Sequence, residues 1–224
     1  MPSYRFSENA ISAGQVADVG FDQGDIIYHQ GDTAQCWFEV VRGMVLTAHV
    51  SFDGRRQITG FFVPGEIFGA EHGRHKASAE VVTATARVRR VRWGTEDVSE
   101  GVFERALVSA ERSILLLGHR IAAERVAAFL RDLYARTGVG GLVHLPMHRS
   151  DIADYLGLTP ETVSRALTAL VKRGLIAHAG LHDFRIFDRA ALAVVAHGDE
   201  ERVGHEDVLV RENVHGTARD HIAI

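Results

Sequence analysis

Three polar residues, Glu161, Ser164 and Arg165, occur in the stretch "LTPETVSRALTALVKRGLI". A carboxylate accepts hydrogen bonds, a guanidinium donates two in parallel, and a hydroxyl can do either. At about 100° per residue, these side chains share one arc of a helix with Thr168 and Lys172. The opposite arc is apolar and consists of Val163, Ala166, Leu167, Leu170 and Val171. The pattern predicts a helix with one buried side and one side presented for hydrogen bonding.

Local signals define the start of this helix and the element before it. Thr159 can cap the helix, Pro160 suits its first turn, and Glu161 lies where the helix dipole favours negative charge. The preceding segment "RSDIADYLGL" predicts a first helix, in which small Ala153 allows close approach of the second. Gly157 supplies a turn with positive φ. Together the two segments predict a helix-turn-helix.

The amino-terminal part of the second helix of a helix-turn-helix enters the major groove of DNA. Arginine then donates to guanine, glutamate accepts from the cytosine amino group, and serine contacts thymine or a phosphate. We expect Glu161, Ser164 and Arg165 to read base edges in this way; the alternative for Glu161 and Arg165 is a solvent-exposed ion pair. Contacts to the DNA backbone, which position without specifying, are expected from Arg149, Thr159, Thr162, Thr168, Lys172 and Arg173.

The composition limits the class of protein. Of the 224 residues, 46% are apolar, which is enough for a globular protein with a hydrophobic core. The first residues lack the pattern of a signal peptide, and no apolar run reaches the roughly 18 residues of a membrane helix. We expect a cytoplasmic protein with no membrane partner. The net charge of -4 resides in residues 195–224, where seven acidic residues face three arginines, so the remaining chain is neutral.

Cys36 is the single cysteine of the sequence. It cannot form an internal disulfide, nor supply the several thiolates of an iron–sulfur cluster or a structural zinc site. Its position beside Trp37 in a predicted strand indicates a packed apolar residue. The alternative is a redox switch, which would require an exposed and readily ionised thiol.

The amino-terminal half carries the pattern of an antiparallel β-roll or jelly roll, from about residue 18 to 94. Ten glycines between residues 14 and 73 separate short β-like segments, and "FDGR" has the Asp-Gly signal of a tight hairpin. "ATARVRRVRW" alternates Val88 and Val91 with arginines, which predicts a strand with a solvated basic face.

A long helix is predicted after the roll, since residues 95–137 lack proline and contain only two glycines. Its apolar residues follow spacings of four and three, a heptad seam that can pair two chains as a coiled coil. The alternative is a helix packed on its own domain. The seam consists of Phe103, Leu107, Ala110, Ile114, Leu117 and Ile121. A second helix is predicted near residues 124–136, with Val126, Phe129, Leu130 and Leu133 on one side.

The predicted fold class is therefore α+β, with five parts. An amino-terminal arm (1–17) precedes the β-roll (18–98), the dimerisation helix and the helix after it (99–137), and a winged helix-turn-helix (138–194). "TGVGG" marks the last boundary, and the hairpin "LIAHAGLHDFRIF" forms the wing. From Ala196 onward the sequence is polar, acidic and aperiodic, and we expect residues 195–224 to form a mobile tail.

This order of parts resembles the Crp/Fnr family of bacterial transcription regulators, over residues 18 to about 190. The most specific segments are "VVRGMVLTAHVSFDGRRQITGFFVPGEIFG" and "HRSDIADYLGLTPETVSRALTALVKRGLI". The pattern "E-T-V-S-R" is similar to the FixK-like branch, for which the resemblance implies Glu161, Ser164 and Arg165 as specificity residues. It also implies a homodimer that binds a palindrome of the form TTGAT-N4-ATCAA, acts chiefly as an activator, engages RNA polymerase and needs no cofactor.

The β-roll departs from the branches of this family that bind a ligand. Cyclic-AMP-responsive members carry an arginine–serine pair for the phosphate, where this sequence has Ala77 and Ser78; Arg74 or Lys76 could substitute. His72 and His75 could instead form a haem or metal pair. We therefore keep an effector-gated regulator as the alternative function, with a candidate pocket at Gly69, Glu71, His72, Arg74, His75 and Ser78. A third hypothesis, an enzyme of cupin type, lacks a convergent set of histidines and carboxylates in the strands.

Overall fold

The β-roll is present in the computed structural model, which describes residues 16–93, 99–119 and 121–198. Its eight strands are β1 (Val16–Asp22), β2 (Ile26–Tyr28), β3 (Cys36–Arg42), β4 (Val45–Val50), β5 (Arg56–Phe62), β6 (Ile67–Phe68), β7 (Ser78–Val81) and β8 (Thr85–Arg92). They form two antiparallel sheets, in the orders β1-β8-β3-β6 and β2-β7-β4-β5.

Alternating apolar residues and tight turns build the roll as the sequence predicts. Val88 and Val91 of β8 are buried, Val88 in the core between the two sheets. The predicted hairpin joins β4 to β5, and its Gly54 adopts a φ of 81° while its N–H donates to the Ser51 carbonyl. Such a φ is unfavourable for other residues, so the Asp-Gly signal in the sequence identified the turn correctly.

The basic face of β8 differs from the predicted solvated face. Arg89 is half-buried and forms ion pairs with Asp18 at 3.2 Å and Glu39 at 3.1 Å, both on neighbouring strands. Arg90 is also half-buried, and its Nε lies 3.1 Å from the Sγ of Cys36. The prediction holds for Arg87, which is exposed, and fails for Arg89 and Arg90. Sequence alternation shows which residues face outward but not which acidic residues lie beside them.

The long helix α1 (Ser99–Leu117) packs on the roll through Val102, and its Leu116 is buried in the core that the roll shares with the carboxy-terminal helices. Its predicted seam is one residue too long, because Ile121 lies beyond the end of α1 and precedes α2 (Ala122–Thr137). Gly118 ends α1, consistent with the low helix propensity of glycine. The N–H of Ile121 then donates to the Glu124 carboxylate at 3.2 Å, which starts the next helix.

The carboxy-terminal part combines four helices with a three-stranded sheet. As predicted, Val126, Phe129, Leu130 and Leu133 of α2 are buried, and they share one hydrophobic core with the helices that follow. The elements after α2 are β9 (Leu142–His144), α3 (Arg149–Leu156), α4 (Pro160–Lys172), β10 (Ile176–His178), β11 (Asp183–Ile186) and α5 (Arg189–His197). The three strands form a sheet of order β10-β11-β9. The α+β fold with a winged helix-turn-helix is confirmed.

Helix α5 was not predicted, and it occupies residues that the sequence analysis assigned in part to the tail. Val195 and Ala196 are 1% and 0% exposed, because α5 packs along α2. Asp188 caps the helix through a hydrogen bond from the Ala191 N–H. The rest of the predicted tail, from residue 199, lies outside the described residues, as does the predicted arm up to residue 15; β1 begins at Val16.

Two groups of charged side chains connect the roll to the helices. Glu66 of the roll, Arg112 of α1, and Asp132 and Arg136 of α2 form four ion pairs at 2.7 to 3.1 Å. Burial raises the pKa of Asp132, and the charges of Arg136 and Arg112 offset part of this effect. This group holds α2, the first helix of the carboxy-terminal part, against the roll.

The second group fixes α3 directly on the roll. Arg56 of β5 contacts Asp151 at 2.7 Å and Asp154 at 3.1 Å. The Gln57 amide donates to the Asp154 carbonyl at 2.5 Å. The position of the helix-turn-helix is thus set by polar contacts to a strand almost a hundred residues away. None of the helices in the described ranges is long and apolar enough to cross a membrane.

Two glycine substitutions should change stability in opposite directions. Gly157 has a φ of 64°, so Gly157→Ala should lower the free energy of unfolding by about 1–2 kcal/mol. Gly101 lies within α1 with open space where a Cβ would be, so Gly101→Ala should raise it by about 0.5–1 kcal/mol. Urea unfolding at fixed protein concentration measures both. Equal effects of the two substitutions would contradict the left-handed turn before α4.

Candidate nucleic-acid interface

The turn and the start of α4 have the geometry that the sequence predicts. Gly157 adopts the left-handed conformation with φ 64° and ψ 43°, and its N–H donates to the Ala153 carbonyl. The Thr159 Oγ1 accepts a hydrogen bond from the Thr162 N–H at 3.2 Å, and Pro160 begins the helix. The cap and the proline stabilise the first turn of α4, which is the turn that carries Glu161.

Close packing of α3 against α4 fixes which side of α4 faces outward. Ala153 of α3 is 1% exposed and Val163 of α4 is 0% exposed, and both belong to one hydrophobic core. The apolar residues Ala166, Leu167 and Leu170 are also buried. The opposite arc is exposed, and it contains Glu161, Ser164, Arg165, Thr168 and Lys172.

The hydroxyls on the exposed arc are oriented by the helix backbone. Ser164 Oγ donates to the Pro160 carbonyl, and Thr168 Oγ1 donates to the Ser164 carbonyl, both at 2.9 Å. Because each hydroxyl proton is used within the helix, each oxygen remains available as an acceptor. These two residues therefore present acceptors to a ligand on this face.

Arg165 and Glu161 are not joined by an ion pair within the part of the chain that the structure describes. The Arg165 Nη2 instead donates to the Thr162 Oγ1 at 3.4 Å. Hydrogen bonds from its own backbone N–H and from Thr159, with the nearby charge of Arg165, lower the pKa of Glu161. Glu161 is thus an ionised acceptor, and the Arg165 guanidinium keeps most of its donors available.

Arg149 lies in a different environment from the other residues predicted to contact the DNA backbone. Its guanidinium carbon is 5.5 Å from the centroid of the Phe184 ring, and burial lowers its pKa. Arg149 therefore also supports the packing of α3 on β11. In contrast, Thr159, Lys172 and Arg173 are exposed, and Thr162 is half-buried.

The wing adds basic and aromatic groups that the sequence analysis did not assign. His178, His182 and Arg185 are exposed in the hairpin of β10 and β11. The His144 Nδ1 lies 2.8 Å from the Asp183 carboxylate and so joins β9 to the hairpin. The hairpin predicted from the sequence could have identified these residues, because a two-stranded wing exposes many of its side chains to solvent.

The residues of the candidate effector pocket do not converge on one cavity. Gly69 and Glu71 line a cavity of about 240 Å³ between the roll and α1. Arg74 and His75 line a separate cavity of about 620 Å³, where the Arg74 guanidinium donates to the Gly31 carbonyl at 2.7 Å. Ser78 accepts a hydrogen bond from the Gln30 N–H at 2.9 Å.

The two histidines of this loop are likewise separated. His75 is 4% exposed, stacks on Tyr28 with ring centroids 3.7 Å apart, and contacts the Glu71 carboxylate at 3.2 Å. His72 packs against the rings of Trp93 and Phe103. Within residues 16–93, 99–119 and 121–198, no group of three or more His, Cys, Asp or Glu residues is arranged to hold a metal ion.

Burial shapes the acid–base properties of this region. Burial strongly raises the pKa of Tyr28, and the charge of Glu71 adds to this effect. Burial opposes ionisation of Glu71, but hydrogen bonds from His75 and the Lys76 N–H outweigh it, and the pKa of Glu71 is lowered. Cys36 is 3% exposed within the roll core, in agreement with the predicted packed residue.

The apolar seam of α1 is exposed to solvent along its length. Leu107 is 58% exposed and Ile114 is 68% exposed, whereas Val102 and Leu116 on the other side of the helix are buried. Phe103, Ala110 and Leu117 are also exposed. A monomer thus leaves a continuous apolar stripe uncovered.

Two family models match the chain. One describes a cyclic nucleotide-binding domain and matches residues 19–99; the other describes a Crp-like helix-turn-helix domain and matches residues 124–195. The second match includes α2, in agreement with the core that α2 shares with α4 and α5.

Similar proteins and structures support the same assignment. Nitrogen fixation regulation protein FixK of Rhizobium meliloti is 43% identical over 172 residues, 75% of this chain and 80% of that protein. Transcriptional activatory protein AadR of Rhodopseudomonas palustris is 36% identical over 173 residues, 70% of this chain and 72% of that protein. The structure of FixK2 from Bradyrhizobium japonicum has a TM-score of 0.74 and 35% identity, and the match covers 81% of this chain and 97% of that one. The chain therefore belongs to the Crp/Fnr family of transcription regulators, in its FixK-like branch of activators.

Proposed function

We propose that this regulator binds an inverted repeat of the form TTGAT-N4-ATCAA as a homodimer, without an obligatory effector. The observation that carries the proposal is the outward face of α4, where Glu161, Ser164 and Arg165 are exposed while the opposite face is buried. A helix with these properties fits the major groove, which admits one α-helix.

The chemistry of the exposed arc matches base edges. Arg165 offers parallel donors that match guanine O6 and N7, and the ionised Glu161 accepts from a cytosine amino group. The Ser164 oxygen, with its proton donated to the helix backbone, is an acceptor. In this proposal these residues specify the half-site, and Arg149, Thr159, Thr162, Lys172 and Arg173 contact phosphates. Thr168 also does so, with its hydroxyl rotated from the Ser164 carbonyl to donate to the phosphate.

The seam of α1 provides the dimer interface in this proposal. Two copies of the exposed stripe would pack as a short coiled coil, with small Ala110 allowing close approach. A two-fold axis along this seam would place two α4 helices about one DNA turn apart, as an inverted repeat requires. Ile121, exposed just after α1, could extend the contact.

The 240 Å³ cavity supports a function without a cyclic nucleotide. It is smaller than the roughly 300–1,000 Å³ of common ligand sites. Among the described residues that line it, none is Lys or Arg, whereas Glu71 contributes a carboxylate. The residues that line this cavity therefore do not fit a phosphate. Activation through contact with RNA polymerase is part of the proposal and agrees with the activator names of the relatives.

Substitution of the base-reading arginine should affect specificity. Arg165→Ala should weaken binding to the inverted repeat by about 1–3 kcal/mol per half-site, because it removes two donors to guanine in each. On a duplex with that guanine pair replaced, the same variant should bind like the unsubstituted protein. Lys172→Ala serves as the control: it should weaken both duplexes alike and reduce the salt slope by about one per half-site, hence about two for the dimer. Gel shifts at fixed salt measure both, and equal losses for Arg165→Ala on the two duplexes would reject base reading.

A charge in the α1 seam should disrupt the dimer. Leu107→Glu would place two carboxylates opposite each other in an apolar contact, so we expect a monomer by sedimentation equilibrium, with an unchanged circular dichroism spectrum. Val50→Glu is the matched control, because Val50 is an exposed apolar residue on β4, 47% accessible. This control should remain dimeric. A dimeric Leu107→Glu variant would contradict the proposed interface.

Cyclic AMP should leave the melting temperature unchanged. A ligand at 100 times its Kd would add about 2.7 kcal/mol and raise Tm by several degrees. Differential scanning fluorimetry with millimolar cyclic AMP, and with AMP as the control compound, tests this expectation. A saturable rise in Tm that is specific to the cyclic nucleotide would favour the effector-gated alternative.

A further inference from the structure

An apolar groove of about 520 Å³ lies between α1, α2, α5 and the end of β11. It is separate from the seam of α1, although both use that helix. Leu115 is 72% exposed beside the groove, one residue from Ile114 of the seam. The apolar lining consists of Leu115, Leu116, Ala128, Ala135, Ile186 and Leu192.

Cationic side chains surround this apolar surface. Arg112 is engaged by Glu66 and Asp132, and Arg189 lies 4.4 Å from the centroid of the Tyr134 ring. Arg131 is half-buried, and no ion pair or hydrogen bond of its side chain is found among the described residues. With three arginines against Asp132, the groove has a positive balance that suits an acidic, apolar segment.

The sequence after α5 has the complementary composition. Residues 199–224 contain seven acidic residues and three arginines, a balance of -4. Within them, the apolar run Val208, Leu209 and Val210 follows Glu206 and Asp207. In residues 199–224, this is the one place where two acidic residues directly precede three consecutive apolar residues.

The chain leaves α5 close to one end of the groove. Arg189, at the start of α5, lies over Tyr134 near the end of α2, and a Cβ on Gly198 would lie 2.6 Å from the Glu124 carboxylate near its start. The two helices are therefore antiparallel, and Gly198 lies beside Glu124, which is about one helical turn along α2 from Ala128 of the groove. The ten residues from 199 to 208 can span up to roughly 33 Å, so the apolar run can reach the groove.

We propose that residues 206–212 dock in the groove of the same chain. Leu209 and its valine neighbours cover the apolar lining, and Glu206 and Asp207 approach Arg131. The contact spans α1 on one side and α2 and α5 on the other, so it ties the long helix to the DNA-binding part. It is independent of the proposed DNA site, because no residue of the exposed α4 arc takes part.

Disulfide trapping tests the contact directly in the full chain without DNA. In a Cys36→Ala background, Leu209→Cys is combined with Ala135→Cys, which is exposed in the groove. The control combines Leu209→Cys with Ala190→Cys, which is exposed on α5 outside the groove lining. Docking predicts an intramolecular disulfide that forms about tenfold faster at position 135 than at position 190, because docking raises the local concentration above that of a free tether.

Charge reversal gives a second measurement. Arg131→Glu should slow trapping at position 135 by about threefold, and adding Glu206→Lys with Asp207→Lys should restore it. Equal trapping rates at positions 135 and 190 would overturn the proposal. So would a disulfide that joins two chains, since it would show the groove to be filled by a second copy. Unchanged melting temperatures of the cysteine variants ensure that these outcomes report on docking.

Discussion

Burial of the apolar face of α4 is the constraint on which the proposed recognition depends. Val163, Leu167 and Leu170 are at most 4% exposed, and each such side chain stabilises the fold by about 1.5–3 kcal/mol. Exposed polar contacts on the other face contribute well under that amount. The rotation of α4 about its axis is therefore decided by packing, and the outward direction of Glu161 and Arg165 is a consequence. Recognition chemistry is placed by hydrophobic burial rather than by the recognition residues themselves.

The same reasoning explains why the DNA-binding part and the roll act as connected units. Helix α2 contributes Phe129 and Leu133 to the core around α4, so its orientation and that of the reading helix are coupled. The ion pairs around Glu66 then join α2 to both α1 and the roll, and Arg56 joins α3 to β5. A dimer formed through α1 would thus fix the distance between two reading helices through packed and ion-paired elements.

Elements with strong local signals could be predicted from the sequence. The turn at Gly157, the cap at Thr159 and the hairpin at Gly54 each depend on a few adjacent residues, and the structure confirms all three. Tertiary contacts were harder to foresee. The seam was extended to Ile121 because heptad spacing continues past the break at Gly118, and α5 was missed because its short apolar run carries little periodicity.

The candidate effector residues show most clearly that residues close together in sequence need not form one site. Residues 69–78 are neighbours along the chain, yet the backbone turns send Glu71 and Arg74 to different cavities and His72 to an aromatic cluster. The acidic neighbours of Arg89 were hidden for the same reason, since strand pairing in the roll joins distant segments. In a loop with several tight turns, the direction of each side chain depends on contacts with distant segments, which the local sequence does not show.

Selection of bound duplexes from a random pool, with purified protein and no added ligand, tests site, symmetry and ligand independence together. Two copies of α4 related by a dimer axis predict enrichment of inverted repeats with TTGA and TCAA half-sites whose centres are about one helical turn apart. Enrichment of no sequence, or of one asymmetric site, would contradict recognition by paired copies of Glu161, Ser164 and Arg165.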